Sequence, residues 1–406
     1  MKILVINSGS SSIKFKIFDM DKNQNIATGI IEEISTRNAC ATLIDKRSGN
    51  VFTDKEGIEN HEKGISVVNR LLKESGLVKD MSELGGIGHR VVQGGDIYDR
   101  SVLIDNKVIA DIDALSILAP LHNPGHLSGI KSVMKQAPLV PNVAVFDTVF
   151  HQSIPEYAYR YAIPNEFYDK FNIRRYGAHG TSHHFAFHEA CAHLQKNPQE
   201  FNAITLHIGN GASASAIKGG ECIDTSMGLT PLEGLMMGTR CGDIDPSVIK
   251  FISEKSDKSL SEIDMIFNKK SGLLGICGES DVREVQRQMR LGNSAARLAF
   301  DMYIYRIVKY VGAYFAVLPR TDAIIFTAGV GENSNIVRER VCQAIEHLGA
   351  KIDDIKNWKN RHDTRVISKE DSKIKILVVP ANEELAIANE TLRVIKGALN
   401  ARISNC

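Results

Sequence analysis

An apolar strand that runs into a turn of Gly, Ser and Asn and returns as an alternating strand occurs twice in this chain, some two hundred residues apart. That repetition limits the possible fold more than any other feature. Residues 2–6 (Lys-Ile-Leu-Val-Ile) read as a buried strand, and Asn7-Ser8-Gly9-Ser10-Ser11-Ser12 as a polar turn. Residues 13–19 then alternate, with Ile13, Phe15 and Ile17 on one face and Lys14 and Lys16 on the other. The same unit returns as residues 203–208, Gly209-Asn210-Gly211 and residues 212–218. A third apolar strand, 323–326, runs into a small-residue turn over 327–334. Three such units, two of them hairpins, predict a duplicated α/β architecture with a ligand between the halves. Helical patterns at roughly 61–76, 111–135, 182–195 and 281–318 agree with α/β. The stretches 37–62 and 352–375 read as solvated surface, and the repeat places the domain boundary near residue 148.

Bulk properties narrow the class. At 406 residues the chain is too long for one ordinary core, so two domains are expected. A net charge of +1 argues against a general nucleic-acid surface, so any bound anion is held by a few local groups. The most apolar long segment, 295–318, carries Arg297, Asp301, Arg306 and Lys309, which makes it a buried helix and not a membrane span. Seven cysteines form no C-x-x-C pair, which fits reduced thiols in a cytosol. The apolar start is too short for a signal peptide, and the expectation is a cytoplasmic protein.

The chemistry lies in the turns and in four side chains. Small residues let backbone N–H groups close on an anion; Ser10 and Ser12 add hydroxyls and Lys14 a charge. No G-x-x-x-x-G-K-[ST] and no strand followed by G-x-G-x-x-G is present, which excludes a Walker-type site and makes a dinucleotide fold unexpected. Arg90, in His89 to Gly95, and Arg240, in Gly238 to Asp243, stand beside glycines, where a planar guanidinium suits capture of carboxylate or phosphate. Asp147 stands at a strand end. His179, bracketed by Gly177 and Gly180, is placed at a helix N-terminus. His188 and His193 resemble a zinc pair, but five residues turn a helix by about 500°, so the two diverge by roughly 140° and read as surface histidines.

Taken together, the runs 7–14, 89–95, 120–124, 146–148, 174–183, 207–211, 224–245, 329–334 and 382–384 resemble the acetate kinase family along nearly the whole chain. The resemblance implies a duplicated actin-like ATPase (ribonuclease H-like) fold. Its first domain covers 1–147 plus 386–406 and its second 148–385, with an active-site cleft between them. It also implies a homodimer and reversible, Mg²⁺-dependent phosphoryl transfer between ATP and acetate, giving ADP and acetyl phosphate, with Mn²⁺ as an alternative metal. By the same match Asn7 and Glu383 serve the metal, Arg90 binds the acid with His122, and Val92, Leu121 and Pro231 wall its methyl group. Asp147 is the family's proton donor/acceptor, and His179 and Arg240 stabilise the transition state. Nucleotide contacts fall to Ser10, Ser12, Lys14, to His207, Ile208, Gly209, Asn210 and Gly211, to Asp281, Val282 and Arg283, and to Gly329, Val330, Gly331, Glu332 and Asn333.

Two departures from the family pattern stand out. Ala178 replaces a common Phe and enlarges the acyl pocket, which keeps a propionate or short-chain acyl kinase in view; Gln93 replaces a His without an assignable role. A nucleotide-regulated binding protein is the alternative from another class. The acid is already an anion at neutral pH, its pKa near that of Glu (roughly 4.3), and needs no general base. Asp147 is therefore expected to orient an arginine or the metal's shell.

Overall fold

The alternation of Ile13, Phe15 and Ile17 with lysines builds the first sheet. β1 (Lys2–Ser8) turns into β2 (Ile13–Asp19), antiparallel, with Ser8 opposite Ile13. β3 (Gln24–Glu32), β4 (Cys40–Asp45) and β5 (Val51–Asp54) extend it on one side. β6 (Gly86–Val91), β7 (Val102–Leu103) and β8 (Asn142–Phe146) complete the other, with β1, β6 and β8 mutually parallel in the order β5-β4-β3-β2-β1-β6-β8-β7. The second sheet comprises β9 (Asn202–Ile208), β10 (Ala212–Lys218), β11 (Glu221–Thr225), β12 (Ala323–Thr327), β13 (Arg365–Val366) and β14 (Lys375–Val378). Its order is β11-β10-β9-β12-β14-β13.

Strands β3-β2-β1-β6-β8 and β11-β10-β9-β12-β14 share one order and one set of senses: two antiparallel pairings, then two parallel ones. The repeated hairpin is thus the start of a repeated five-stranded sheet, the duplicated ribonuclease H-like unit of actin-like ATPases. This computed structural model describes residues 1–55, 57–359 and 361–404, with side chains to residue 400, so Cys406 lies outside it. Two compact units result: Met1–Val149 with the chain from Asn382 onward, and Phe150–Ala381.

Both sheets are covered on both faces, which is why β8, β9 and β12 are buried at every position. In the first unit the helix His61–Glu74 lays Ile65, Val68, Leu71 and Leu72 on one face. The helix Glu383–Ser404 lays Ile387, Ala388 and Ile395 on the other. Gly88 on β6 admits that helix, since a Cβ there would stand 2.3 Å from Thr391 Oγ1. In the second unit the helix Ser294–Val317 contributes Ala299, Phe300, Tyr303 and Ile307, and Gly180–Leu194 contributes Ala186, Phe187 and Ala190. No helix among the described residues is long and apolar enough to cross a membrane.

Several expectations from the sequence are corrected. The helix expected over 111–135 is two, Asn106–Ala114 and Asn123–Gln136, because Pro120 and Pro124 cannot continue a hydrogen-bonded helix. The pattern over 281–318 breaks at Gly292 (φ +88°), after which Asn293 caps Ser294–Val317. The surface read over 37–62 contains β4 and β5, with Ala41 and Leu43 fully buried; short strands at a sheet edge present mostly polar outer positions. The stretch 352–375 holds the helix Asp354–Trp358, β13 and the buried Ile367 and Ile374. The third small-residue run is a short helix, Ala328–Asn333, and not a turn.

Two histidines of the first unit are buried uncharged. Burial pushes His89 down to about 4, against the opposing hydrogen bond of its Nε2 with Asn142 Oδ1 at 2.8 Å. Burial, with Arg90 and His122 adding to it, pushes His126 down to about 3. The unfolded chain binds these protons near pH 6.5 and the folded chain does not, so stability is lost as pH falls from there toward 4. Each histidine contributes a slope of about 1.4 kcal/mol per pH unit in that window. Urea unfolding between about pH 7 and about pH 5 checks this, with His126→Phe expected to reduce the slope by roughly one proton's worth. An unchanged slope counts against neutral burial of His126.

Candidate active site

In the first unit the turn after β1 closes through the Gly9 N–H, which donates to the Ser12 carbonyl at 2.8 Å. Asn7 is the penultimate residue of β1 and is half-buried; Ser10 and Lys14 are exposed, and Ser12 is half-buried. The helix Asn123–Gln136 passes beneath, so close that a Cβ on Gly125 would meet Gly9 carbonyl atoms at 2.9 Å. Ser10 and Ser12 are thereby held on a turn whose backbone is braced from below.

Arg90 is the penultimate residue of β6 and Asp147 follows β8. The parallel register sets Val91 opposite Phe146, and the Asp147 N–H donates to the Val91 carbonyl at 2.9 Å. Arg90 Nε donates to Asp147 Oδ1 and Oδ2 at 3.2 and 3.0 Å, and Nη2 to Oδ2 at 2.6 Å. Glu383 Oε2 stands 3.9 Å from Arg90 Nε, and the neighbouring Glu384 accepts from Lys16 Nζ at 2.9 Å. Arg90 is thus clasped by acidic side chains. Burial pulls its pKa down, but Asp147 and Glu383 outweigh that and the net direction is up. Burial raises the Glu383 carboxyl; Arg90 opposes this, while Asp147 and Glu384 add to it. Three carboxylates gathered around one arginine and one lysine leave surplus negative charge, the donor chemistry that a hard divalent cation fits. Among the described residues no group of three or more His, Cys, Asp or Glu is arranged to hold a metal ion, so Asn7, substrate oxygens or water would have to supply most of the shell.

Val92 is buried, His122 half-buried at the start of the helix Asn123–Gln136, and Leu121 exposed. Gln93 now has an explanation. Its buried side chain accepts the Gly95 N–H at 2.9 Å, while its backbone exchanges hydrogen bonds with the Asn123 side chain at 3.2 and 3.1 Å. It pins the turn after β6, and so the end of the strand that bears Arg90.

In the second unit His179 takes the position expected, preceding the helix Gly180–Leu194, in a left-handed backbone conformation (φ +60°). Such a conformation costs a non-glycine residue energy and collects at functional sites. Its ring stacks on that of His207 with centroids 4.0 Å apart, and His207 Nδ1 bonds Ser182 Oγ at 2.8 Å. The turn after β9 closes through the Gly209 N–H to the Gly211 carbonyl at 3.0 Å, and the Asn210 carbonyl accepts the Gly238 N–H at 3.0 Å. Gly211 lies between two of the candidate side chains: a Cβ there would be 3.4 Å from Arg240 Nη1 and 3.6 Å from His179 Cε1.

Arg240 differs from Arg90. Its Nη1 reaches only the Pro231 carbonyl at 3.1 Å and Met237 Sδ at 3.6 Å, and it has no carboxylate partner among the described residues. Burial pulls its pKa down. A half-buried guanidinium without a counterion is ready to receive an anion.

All but one of the remaining nucleotide candidates lie on two short helices or their caps. Asp281 caps the helix Val282–Arg290 and is paired by the exposed Arg283. Ile208 ends β9, and Gly329 to Asn333 form the short helix after β12, entered through Ala328 at φ +65°. Sequence reasoning missed the residue that holds this helix. Arg338, fully buried, donates to the Gly331 and Glu332 carbonyls at 2.9 and 2.7 Å and to Asn357. Glu332 in turn accepts the Ala381 N–H at 2.7 Å. Also missed were Glu384, next to an assigned residue, and the buried hydroxyls of Thr205 and Ser213, whose signal was polar residues in strands otherwise apolar at every position.

Comparison with known proteins places this geometry. The acetokinase family model matches residues 2–389. The chain is 54% identical to the acetate kinase of Campylobacter lari over 98% of its own length and 100% of that protein's, and 52% identical to that of Campylobacter jejuni subsp. doylei over 97% and 99%. Among solved structures, Porphyromonas gingivalis acetate kinase superposes with a TM-score of 0.92 at 42% identity, covering 97% of this chain and 99% of that one. A propionate kinase from Francisella tularensis subsp. tularensis gives 0.91 at 41%, with the same coverage. A match from residue 2 to residue 389, joined to relatives aligned over almost their entire length, means that the chain belongs to the acetokinase family.

Proposed function

We propose that this enzyme transfers a phosphoryl group reversibly between ATP and acetate, giving ADP and acetyl phosphate, by direct in-line displacement. The observation that carries the reading is Arg240, a half-buried guanidinium with no carboxylate partner among the described residues, one turn away from His179 in a member of this family.

The chemical problem is repulsion between two anions. Acetate needs no base, since its pKa of roughly 4.3 leaves it ionised at neutral pH. Catalysis then consists of holding the acid in line and neutralising charge on the transferring group. Arg90 orients the carboxylate with His122, and Val92, Leu121 and Pro231 wall its methyl group. Asp147 holds the Arg90 fork in one orientation through its paired hydrogen bonds and is not a base. In the second unit Arg240 and His179 donate to the phosphoryl oxygens as charge shifts. The turns 7–14 and 207–211, the Asp281 to Arg283 corner and the helix starting at Gly329 bind the nucleotide. Asn7 and Glu383 hold magnesium, which when bound neutralises phosphate charge and fixes its orientation. The active form is a homodimer in the cytoplasm, a setting that the six unpaired described cysteines favour.

Ala178, buried beside His179 where a larger residue would fill more space, supports a second reading in which propionate is the preferred acid. Initial rates with ATP and Mg²⁺ across acetate, propionate and butyrate, trapping acyl phosphate as the hydroxamate, decide between them. Acetate is expected to lead in kcat/KM, by up to about a hundredfold, since one methylene is worth roughly 1–3 kcal/mol. A longer acid in front would rename the substrate and keep the mechanism. No hydroxamate with any acid, from protein that binds ATP, sinks both readings.

A further inference from the structure

We propose that Thr205, His183 and Ser213 form a one-way hydrogen-bond relay that fixes His179 in its Nε2–H tautomer, so that this N–H is presented to the transferring phosphoryl group. The inference rests on the role given to His179 above and names three positioning residues behind it.

The chain of contacts is short and closed. Thr205 Oγ1 on β9 lies 2.7 Å from His183 Nδ1, His183 Nε2 lies 2.7 Å from Ser213 Oγ on β10, and Ser213 Oγ lies 2.9 Å from His179 Nδ1. Thr205, His183 and Ser213 are all completely buried. Burial, with His151 and His207 adding to it, holds His183 well below the usual histidine range, so it carries a single ring proton.

A neutral imidazole donates from one nitrogen and accepts at the other, so the two possible directions of the relay can be compared. If Thr205 donates to His183 Nδ1, then His183 Nε2–H donates to Ser213, and the Ser213 hydroxyl donates to His179 Nδ1. Every hydrogen in the chain then has an acceptor. If the relay runs the other way, His183 Nδ1–H donates to Thr205, whose own hydroxyl hydrogen then has no acceptor among the described residues. A buried orphan donor costs about 1–3 kcal/mol, which is enough to set the direction. His179 is left with its proton on Nε2.

The relay also resists charging. Protonating His179 at Nδ1 would make Ser213 accept from both histidines and orphan its own hydrogen. The other titratable groups nearby are His207, stacked on His179; His151, whose ring centroid lies 5.9 Å from that of His183; and Arg240, across the Gly211 backbone. A cation at Arg240 adds to the resistance.

The test uses the full-length enzyme with ¹⁵N-labelled histidine, reading the tautomer from long-range proton–nitrogen couplings, with His179→Gln to assign the signal. Wild type is expected to show His179 protonated on Nε2 only. Ser213→Ala is expected to mix the tautomers, lower kcat roughly tenfold with KM values little changed, and add a pH-dependent limb near pH 6.5. Thr205→Val moves the same readouts in the same direction, and Thr205→Ser restores them. An Nδ1–H tautomer in wild type, or a Thr205→Val enzyme with unaltered tautomer and pH profile, overturns the relay. Full activity of His179→Gln would instead overturn the catalytic role assumed for His179, whatever the tautomer proves to be.

Discussion

Replacing Arg240 by Ala is expected to lower kcat by about 10³-fold or more, the lower range for an arginine that clamps a transferring phosphoryl group. Its surroundings explain why so much rests on it. A guanidinium that among the described residues bonds only a carbonyl and a thioether has given up hydration without gaining a counterion. Folding alone gives it no net benefit, so the variant should keep its thermal midpoint or gain slightly. Arg240→Lys retains the charge but loses the planar fork, and is expected to recover only a small part of the rate. The measurement is steady-state kinetics in both directions, with thermal unfolding alongside. A loss below tenfold, or a rate loss explained by unfolding, refutes the assignment.

Asp147→Asn is expected to cost about a hundredfold or more in kcat/KM, chiefly through the acid. Asp147 contributes both oxygens to Arg90, and an amide can accept with only one; its NH₂ would face guanidinium donors. Arg90 would then turn, and a carboxylate-binding fork that moves by an ångström misplaces its substrate. The pH profile separates this from base catalysis. An orienting Asp147 leaves the shape of the profile intact and raises KM for acetate, because the substrate arrives ionised. A variant with normal acetate and metal affinity that had lost one titrating limb would show that Asp147 handles a proton after all.

The sequence reading was strongest where the physics is local. A period of two between Ile13, Phe15 and Ile17 makes a strand with one buried face in almost any context, and Gly9 or Gly209 in a run of small polar residues makes a turn. It was weaker over 37–62, where β4 and β5 are too short and too polar at the sheet edge to declare themselves, and over 111–135, where a periodic pattern masked the break that Pro120 imposes. His179 at a helix start was legible from Gly177 and Gly180; its left-handed backbone was not.

By itself, then, the sequence determined the duplicated hairpins, the class of fold, the family and the residue types available for phosphoryl transfer. These depend on spacing along the chain and on the order of motifs. Only the tertiary structure decided that Arg90 meets Asp147 across a separation of 57 residues, that Arg240 meets no acid among the described residues, and that Ser213 joins two histidines from another element. Such pairings follow from the register of parallel strands joined by long crossovers. Register is set by the packing of both sheet faces together, and no local stretch of sequence carries that information.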